Sequence, residues 1–251
     1  MVQTKIKKLL TGAAVLILWL AVWQICAMCV GREIILPTPL SVLRRFFALA
    51  KTAPFWKATA LSLCRIMSGY AAGVIVGALL GAGMYFISPV RAMFSPFLTV
   101  VKSTPVASFI LIAYFIITDT AIPVFITFLM VLPMMASSVF TSLGSTDKAL
   151  LEMTKVYRFS FGKKLKTLYI PTAMPHFLSQ ALTALGFGWK AGIAAEVLCT
   201  PRDSIGKYLY DSKTYLETVD TFAYTLLVII ISLCLEKCLK KLLGRVRGGA
   251  A

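Results

Sequence analysis

The stretch DKALLEMTKVYRFSFGKKLKTLYIPTAMP, Asp147 to Pro175, is the longest polar insert in an otherwise apolar chain. Six of its residues are lysine or arginine and two are acidic. Its first part predicts a short amphipathic helix, because apolar and small side chains from Leu150 to Tyr157 recur at steps of three and four residues. A basic segment between two apolar spans is expected on the cytoplasmic side of a membrane.

Composition places the chain among integral membrane proteins. Of its 251 residues, 59% are hydrophobic and 14% are charged, which is more apolar surface than a soluble domain can bury. The net charge of +16 would also suit a nucleic-acid-binding protein. However, the cations cluster at the ends of apolar runs, where they set topology and meet anionic lipid. No basic face with interleaved aromatic residues lies outside the apolar runs, which argues against nucleic acid.

Six apolar runs are long enough to cross a bilayer as helices. We predict spans at about residues 9–30, 59–87, 97–118, 121–143, 175–198 and 219–235. The first run resembles a signal peptide in position, but its length and the lack of a small-x-small cleavage site favour a retained helix. With both termini inside, the inner segments carry 15 lysines and arginines and the outer ones about nine, as the positive-inside rule requires.

The first outer loop departs from that rule. It holds five basic residues: Arg32, Arg44, Arg45, Lys51 and Lys57. Residues 41–50 are amphipathic, and part of the loop is expected to lie along the membrane surface. We divide the chain into residues 1–58, a transmembrane helix with its outer loop, and residues 59–251, a five-helix core that carries the polar insert.

The second span contains a regular row of glycines. They recur every four residues: Gly69, Gly73, Gly77 and Gly81. Such a row lets a neighbouring helix backbone approach closely, so it predicts a helix-packing face.

Three charged residues fall within or near apolar spans: Lys102, Lys190 and Glu196. A charge at membrane depth is costly unless it is paired or hydrated, so each is a candidate for lining a translocation path. Alternatives remain open, since Lys102 could extend to the interface and Glu196 could form an interfacial cap or an interhelical hydrogen bond. Pro105 and Pro133 interrupt backbone hydrogen bonds within spans and mark expected kinks, and Pro105 is also predicted to lie on the translocation path.

The sequence predicts no catalytic or metal site. Cys26 and Cys29 form a CxxC pair, but in an apolar run without a second ligand pair. His176 is the only histidine, and one histidine does not build a metal site. The sequence also lacks a GxxxxGK[ST] phosphate loop, so any ATP hydrolysis belongs to another polypeptide.

The polar insert resembles a cytoplasmic motif of the membrane subunits of binding-protein-dependent ABC importers. That motif reads Glu-Ala-Ala, three residues, Gly, nine residues, Ile-x-Leu-Pro. Glu152 and Pro171 stand at its spacing. At the other positions this chain has Met153 and Thr154 for the alanines, Arg158 for the glycine, and Leu168 and Ile170 for the isoleucine and leucine.

Other segments resemble the nitrate/sulfonate/taurine-type permeases of this class, in the family order. They are LPTPLSVL (Leu36 to Leu43), SLCRIMSGY (Ser62 to Tyr70), KSTPVASF (Lys102 to Phe109) and GWKAGIAAEVL (Gly188 to Leu198), the last followed by Ser204-Ile205-Gly206. Together they cover most of the chain from Leu36 to Ala223.

The resemblance implies an all-α type I ABC importer permease with about six transmembrane helices, in a bacterial cytoplasmic membrane. Two copies, expected to be a homodimer, would enclose a central path. A coupling helix near residues 147–161 would sit in a groove of a separate, dimeric ATPase subunit, which would use ATP and Mg²⁺. This chain itself would bind no cofactor, and an external solute-binding protein would deliver the substrate.

The same resemblance assigns residues to the ATPase contact: Leu151, Glu152, Val156, Tyr157, Arg158, Phe159 and Pro171. Tyr157 is expected to be the central anchor, while Glu152 fixes the start of the helix or pairs with the ATPase. Because Arg158 replaces the glycine, the chain is expected either to turn elsewhere, at Gly162, or to offer Arg158 to a carboxylate of the ATPase.

Two other functions compete with the importer subunit. A stand-alone secondary transporter or channel would show repeats or broken helices aimed at a midplane site, and a membrane scaffold would transport nothing. Dependence on a partner ATPase separates these alternatives. Within the family, substrates include sulfonates, taurine, nitrate, bicarbonate and thiamine-precursor pyrimidines, and Lys190 on the path would favour an anion.

Overall fold

The computed structural model describes the backbone of residues 2–248 and the side chains of residues 11–12 and 14–244. The long helices are α1 (Val2–Val30), α3 (Ala53–Phe86), α6 (Ile122–Gly144), α9 (Ile170–Cys199) and α11 (Thr218–Gly248). The shorter ones are α2 (Pro39–Ala50), α4 (Ser88–Ser103), α5 (Val106–Tyr114), α7 (Lys148–Val156), α8 (Phe161–Lys164) and α10 (Ile205–Thr214). A π-helical turn, Leu165–Tyr169, joins α8 to α9.

Four helical segments in the described part of the chain are long and apolar enough to cross a membrane: α3, α6, α11 and the continuous segment from α8 through α9. The apolar part of α1, Ala14–Val30, is shorter. The predicted first span, residues 9–30, begins among side chains outside the described set. The basic side chains expected to flank the first and last spans also lie partly outside it, among them Lys5, Lys7, Lys8, Arg245 and Arg247.

The third predicted span, residues 97–118, is wrong as a single straight helix. The helix begins earlier, at Ser88, and α4 and α5 are bent by 102° at a break between Ser103 and Val106. Thr104 precedes Pro105 and adopts an extended conformation (φ −85°, ψ 133°). A residue before proline is pushed out of the helical region, which accounts for a break rather than the expected kink.

Helix α6 lies at the centre of the fold and packs against both α3 and α9. The glycine row of α3 faces it. A Cβ atom built on Gly69 would stand 2.3 Å from the Val124 carbonyl oxygen, and one on Gly81 would stand 2.4 Å from that of Ala136. For Gly73 and Gly77 the nearest α6 atoms are at 2.8 and 2.7 Å. At this interface backbone therefore lies against backbone.

The two ends of the bundle carry different short helices. Phe86, at the end of α3, contacts Phe161 with ring centroids 5.3 Å apart, so this end lies beside α7 and α8. At the other end of the bundle, helix α2 connects to the start of α3 and helix α10 connects to the start of α11. We call these the α7 end and the α10 end. Helix α10, which the hydropathy pattern did not predict, packs on α9 and α11.

Candidate functional site

Helix α7 protrudes from the α7 end. Asp147 caps its first turn, because its side chain accepts a hydrogen bond from the Ala149 amide at 2.9 Å. Thr154 is its buried residue, and Leu151 is half-buried. The remaining apolar side chains face outward: Leu150 is 42% exposed, Met153 43%, Val156 79% and Tyr157 69%. Glu152 is also exposed on this helix.

The C-terminus of α7 differs from the expectation of a helix near residues 147–161. The helix ends at Val156, and Arg158 has φ 50°, in the left-handed region. The Phe159 amide donates to the Thr154 carbonyl at 2.9 Å, and the Arg158 amide donates to that of Lys155 at 3.1 Å. This pair of bonds defines a Schellman motif, whose left-handed position is usually glycine. Of the two alternatives, the turn at Gly162 is therefore wrong, since the chain turns at Arg158 itself, and the contact of Arg158 with a carboxylate of the ATPase stays a prediction.

The segment after this turn leads back into the membrane. The Lys163 amino group lies 4.1 Å from the centre of the half-buried Phe159 ring. The π-helical turn then precedes Pro171, which is exposed near the start of α9. A proline lacks the amide proton that an α-helix needs at that position, and a wider turn just before it accommodates the loss.

Lys102 lies in the last turn of α4, beside the break. Its amino group donates to the Ser137 hydroxyl of α6 at 2.5 Å. It lines a cavity of about 500 Å³ together with Met134, Ser137, Ser138, Thr141, Ser142, His176, Ser179 and Gln180. Most of these side chains are polar, so the cavity is a hydrophilic surface at the depth of the apolar spans.

Lys190 and Lys102 line a second cavity, of about 520 Å³. Met134 and Lys102 belong to both cavities, so the two adjoin. Pro133, inside α6, lines the second one as well. Pro105 begins α5 at the break and is the residue that turns the chain away there. Lys102 and Lys190, two of the four residues predicted for a translocation path, therefore line one cavity, and a third, Pro105, lies in the chain between its lining residues Thr104 and Val106.

The fourth, Glu196, lies elsewhere. Its side chain is fully buried and lines neither lysine cavity. Ser62 of α3 donates to Glu196 Oε2 at 2.6 Å, and the Gly206 amide of α10 donates to the same oxygen at 3.2 Å. Arg65 Nη1 is 3.5 Å from Oε1, an ionic contact. These interhelical bonds match the alternative interpretation of Glu196, and they join α3, α9 and α10.

The segments that carry the family resemblance meet at this junction. Ser62 and Arg65 come from SLCRIMSGY, Glu196 from GWKAGIAAEVL, and Gly206 from the Ser-Ile-Gly that follows it. A Cβ atom on Gly206 would lie 2.3 Å from the Cβ of Glu196, so only glycine fits there. Nearby, Lys57 Nζ is 2.7 Å from Asp203 Oδ2, and this hydrogen bond holds the pKa of Asp203 below its ordinary value.

Comparison with known proteins shows the family of the chain. Residues 73–246 match the family described as "Binding-protein-dependent transport system inner membrane component". The chain belongs to this family. It is a multi-pass inner-membrane permease subunit of an ABC transport system, and the ATPase is not part of it.

Two relatives and two solved structures illustrate the similarity. The taurine transport system permease protein of Escherichia coli (strain K12) is 25% identical over 243 residues, covering 94% of this chain and 86% of the relative. The nitrate import permease protein of Synechococcus elongatus is 22% identical over 223 residues, covering 83% and 78%. An amino acid ABC transporter with histidines shares the fold, with a TM-score of 0.63, 16% identity and coverage of 80% and 96%. The alginate ABC transporter, in complex with its pentasaccharide-bound periplasmic protein, gives a TM-score of 0.55, 13% identity and coverage of 96% for each chain.

Proposed function

We propose that this permease subunit imports a small anionic solute, which crosses the membrane along the two adjoining cavities lined by Lys102 and Lys190. The observation that carries the proposal is the pair of lysines that line one cavity between the apolar helices, next to a second, polar cavity that Lys102 also lines. Ionised side chains at this depth are expected to face a hydrated path. Hydroxyl groups beside them, such as that of Ser137, can donate further hydrogen bonds to anionic oxygens. Relatives named for taurine, which carries a sulfonate, and for nitrate agree with this substrate class.

Helix α7 is the contact with the partner ATPase in this proposal. Its exposed Met153, Val156 and Tyr157 form an apolar surface on a short helix that packs little against the rest of the chain. A large aromatic side chain amid smaller apolar ones is the usual composition of an energetically dominant contact. Glu152 supplies a carboxylate at the rim of this surface. The ATPase, as a dimer, binds ATP and Mg²⁺ and moves α7 when it closes.

The assembly then contains two copies of this chain. The cavities of Lys102 and Lys190 are open clefts in one copy, and a second copy facing them would enclose the path. The α7 end, with both chain termini, lies in the cytoplasm, since the basic residues concentrate there. The α10 end then faces an external solute-binding protein. The complex of the alginate transporter with its periplasmic protein is a precedent for such an arrangement.

Uptake into proteoliposomes tests the proposal. The subunit is reconstituted with its ATPase and binding protein, and entry of radiolabelled taurine, an aliphatic sulfonate and nitrate is measured with and without ATP. We expect uptake of at least one anion to require ATP. Lys190→Met should lower that uptake while leaving basal ATPase activity intact. The control Lys237→Met removes an exposed lysine outside both cavities and should leave uptake unchanged.

Two results would contradict the proposal. Equal uptake by the Lys190→Met variant and the wild type would remove Lys190 from the path. Uptake that persists without ATP and without the ATPase would instead identify a stand-alone secondary transporter or channel.

A further inference from the structure

Helix α2 is attached to the α10 end by specific contacts on one side. Arg45 Nε and Nη2 donate to the two carboxylate oxygens of Asp220 at 2.5 and 2.7 Å, which raises the pKa of Arg45. Val42 is buried and Phe46 half-buried against the neighbouring helices. The loop before α2 is held as well, because Trp23 Nε1 of α1 donates to the Pro37 carbonyl at 3.1 Å. The orientation of α2 on the bundle is therefore fixed.

The opposite side of α2 is exposed and itself has two edges. One edge is apolar: Leu40 is 55% exposed, Leu43 43% and Phe47 62%. These residues follow one another at steps of three and four, so they form one stripe along the helix. The other edge holds the exposed Arg44 and Ala48, with Lys51 directly after the helix. Arg44 has no partner among the described residues.

A cavity of about 490 Å³ runs along the basic edge. It is lined by Glu33, Thr38, Leu40, Ser41, Arg44, Arg45 and Ala48. The Thr38 and Ser41 side chains already satisfy the first turn of α2, so the helix N-terminus itself is not the feature of interest. The available positive charge in this cavity is the guanidinium of Arg44, since Arg45 is occupied by Asp220, and the exposed Glu33 is the one acidic residue in its lining.

We propose that α2 lies in the membrane interface at the α10 end and binds an anionic phospholipid, with its apolar edge against the acyl chains and the phosphate at Arg44. The apolar edge continues a lipid-facing surface, because α1, which contacts α2, exposes Leu16, Ile17 and Trp19 by 63–67%. The basic edge complements an anionic headgroup. A helix with one apolar and one basic edge is the pattern of an interfacial helix.

This interaction also accounts for the basic residues that depart from the positive-inside rule. Arg44 and Lys51 sit on the side of the membrane where basic residues are depleted. Binding to headgroup phosphates offsets the cost of placing them there, since a basic residue near an anionic membrane surface is attracted to it. The inference does not depend on the transported solute or on the ATPase. The competing occupant of the surface is a soluble protein, and the experiment distinguishes the two.

Spin labelling locates the two edges relative to the bilayer. The background variant has its five exposed cysteines, Cys26, Cys29, Cys64, Cys234 and Cys238, replaced by alanine, with the buried Cys199 left in place. Labels are attached to Phe47→Cys on the apolar edge and, as the matched control, to Ala48→Cys on the next residue. In proteoliposomes, we expect molecular oxygen to reach the label at position 47 better than a water-soluble nickel chelate does, and the reverse at position 48.

Preference for the nickel chelate at both positions would show that α2 stands in water, ready for a soluble partner, and would overturn the proposal. Preference for oxygen at both would also overturn it, since the helix would then be immersed.

Native mass spectrometry tests the headgroup. Wild type, Arg44→Gln and the control Lys213→Gln, on α10 at the same end, are titrated with phosphatidylglycerol and with phosphatidylcholine. We expect wild type and the control to retain phosphatidylglycerol preferentially, and Arg44→Gln to lose about five-fold of that preference, the factor that corresponds to ~1 kcal/mol. Identical lipid retention by all three chains would refute the assignment of the phosphate to Arg44, and so would equal retention of the two lipids by wild type.

Discussion

Replacing Gly81 by alanine tests the contact between α3 and α6. The added Cβ would stand 2.4 Å from the Ala136 carbonyl oxygen and 3.0 Å from its Cα, whereas ordinary contact begins at 3.4 Å. Both atoms belong to backbone, so no side chain can rotate away and the helices must separate by about 1 Å. A gap of that size forfeits a quarter to a half of the dispersion energy of the atoms along it. Overpacking of this kind costs about 1–3 kcal/mol.

The same helix offers a matched control. A Cβ on Gly83 would lie 3.7 Å from its nearest neighbour, Val90 Cγ1, which is ordinary contact. Gly83→Ala should therefore be neutral or stabilising by up to ~1 kcal/mol, the helix preference of alanine over glycine.

Thermal unfolding in mild detergent measures both variants. With about 2–4 °C per kcal/mol for a chain of this size, Gly81→Ala should lower Tm by roughly 2–12 °C and Gly83→Ala should not lower it. Equal Tm values for the two variants would refute the close backbone contact between α3 and α6.

Three further predictions concern named side chains. Glu196→Gln keeps the size of the side chain but leaves Arg65 without a carboxylate and points the new amide NH2 group at another hydrogen-bond donor. It should lower the free energy of unfolding by about 1–3 kcal/mol and lower Tm. The control Glu217→Gln, on the surface of the same end, should leave Tm unchanged. Wild-type Tm for Glu196→Gln would argue against the junction. Arg158→Gly should stabilise the left-handed turn by up to ~1 kcal/mol and should still copurify with the ATPase, whereas Arg158→Val should destabilise the turn. Loss of the ATPase from Arg158→Gly would show that the guanidinium itself is needed. Lys102→Met removes the one lysine that lines both cavities and should lower anion uptake about tenfold or more. The amount of assembled complex, compared by size-exclusion chromatography, should stay the same; unchanged uptake would place the path elsewhere.

The sequence predicts much of this fold where a local pattern carries the information. Apolar runs located α3, α6, α9 and α11, because each helix must match the thickness of a bilayer. The row from Gly69 to Gly81 pointed to a close helix contact, since an interval of four residues repeats one face of a helix. The periodicity from Leu150 to Tyr157 predicted the short helix that the structure shows as α7.

Local patterns failed where an interruption is short. Lys102, Ser103 and Thr104 are polar but lie between apolar runs, so hydropathy averaged over the region showed one span where the structure has two helices at 102°. Helix α10 was missed for a different reason, because its sequence is too polar for a span. Ser204 carried a usable signal, since its hydroxyl accepts from the Lys207 amide at 3.0 Å as an N-cap.

Long-range partners were outside the reach of sequence patterns altogether. Ser62 and Glu196 are 134 residues apart, and neither periodicity nor spacing pairs them. His176, set aside as a metal ligand, lines the Lys102 cavity, and only the packing of α6 against α9 shows this. The left-handed conformation of Arg158 is likewise set by the Schellman bonds around it, not by residue type.

Copurification with the ATPase tests the central claim most directly. The chain is expressed with its ATPase and extracted in mild detergent, as wild type, as the double variant Glu152→Ala, Tyr157→Ala, and as the control Tyr215→Ala, Glu217→Ala. The control removes the same two residue types from exposed positions at the α10 end. We predict a stable complex with wild type and control, and its loss with the α7 double variant. An ATPase that stays bound to the α7 variant, or that binds none of the three chains, would contradict the account of α7 as the coupling helix.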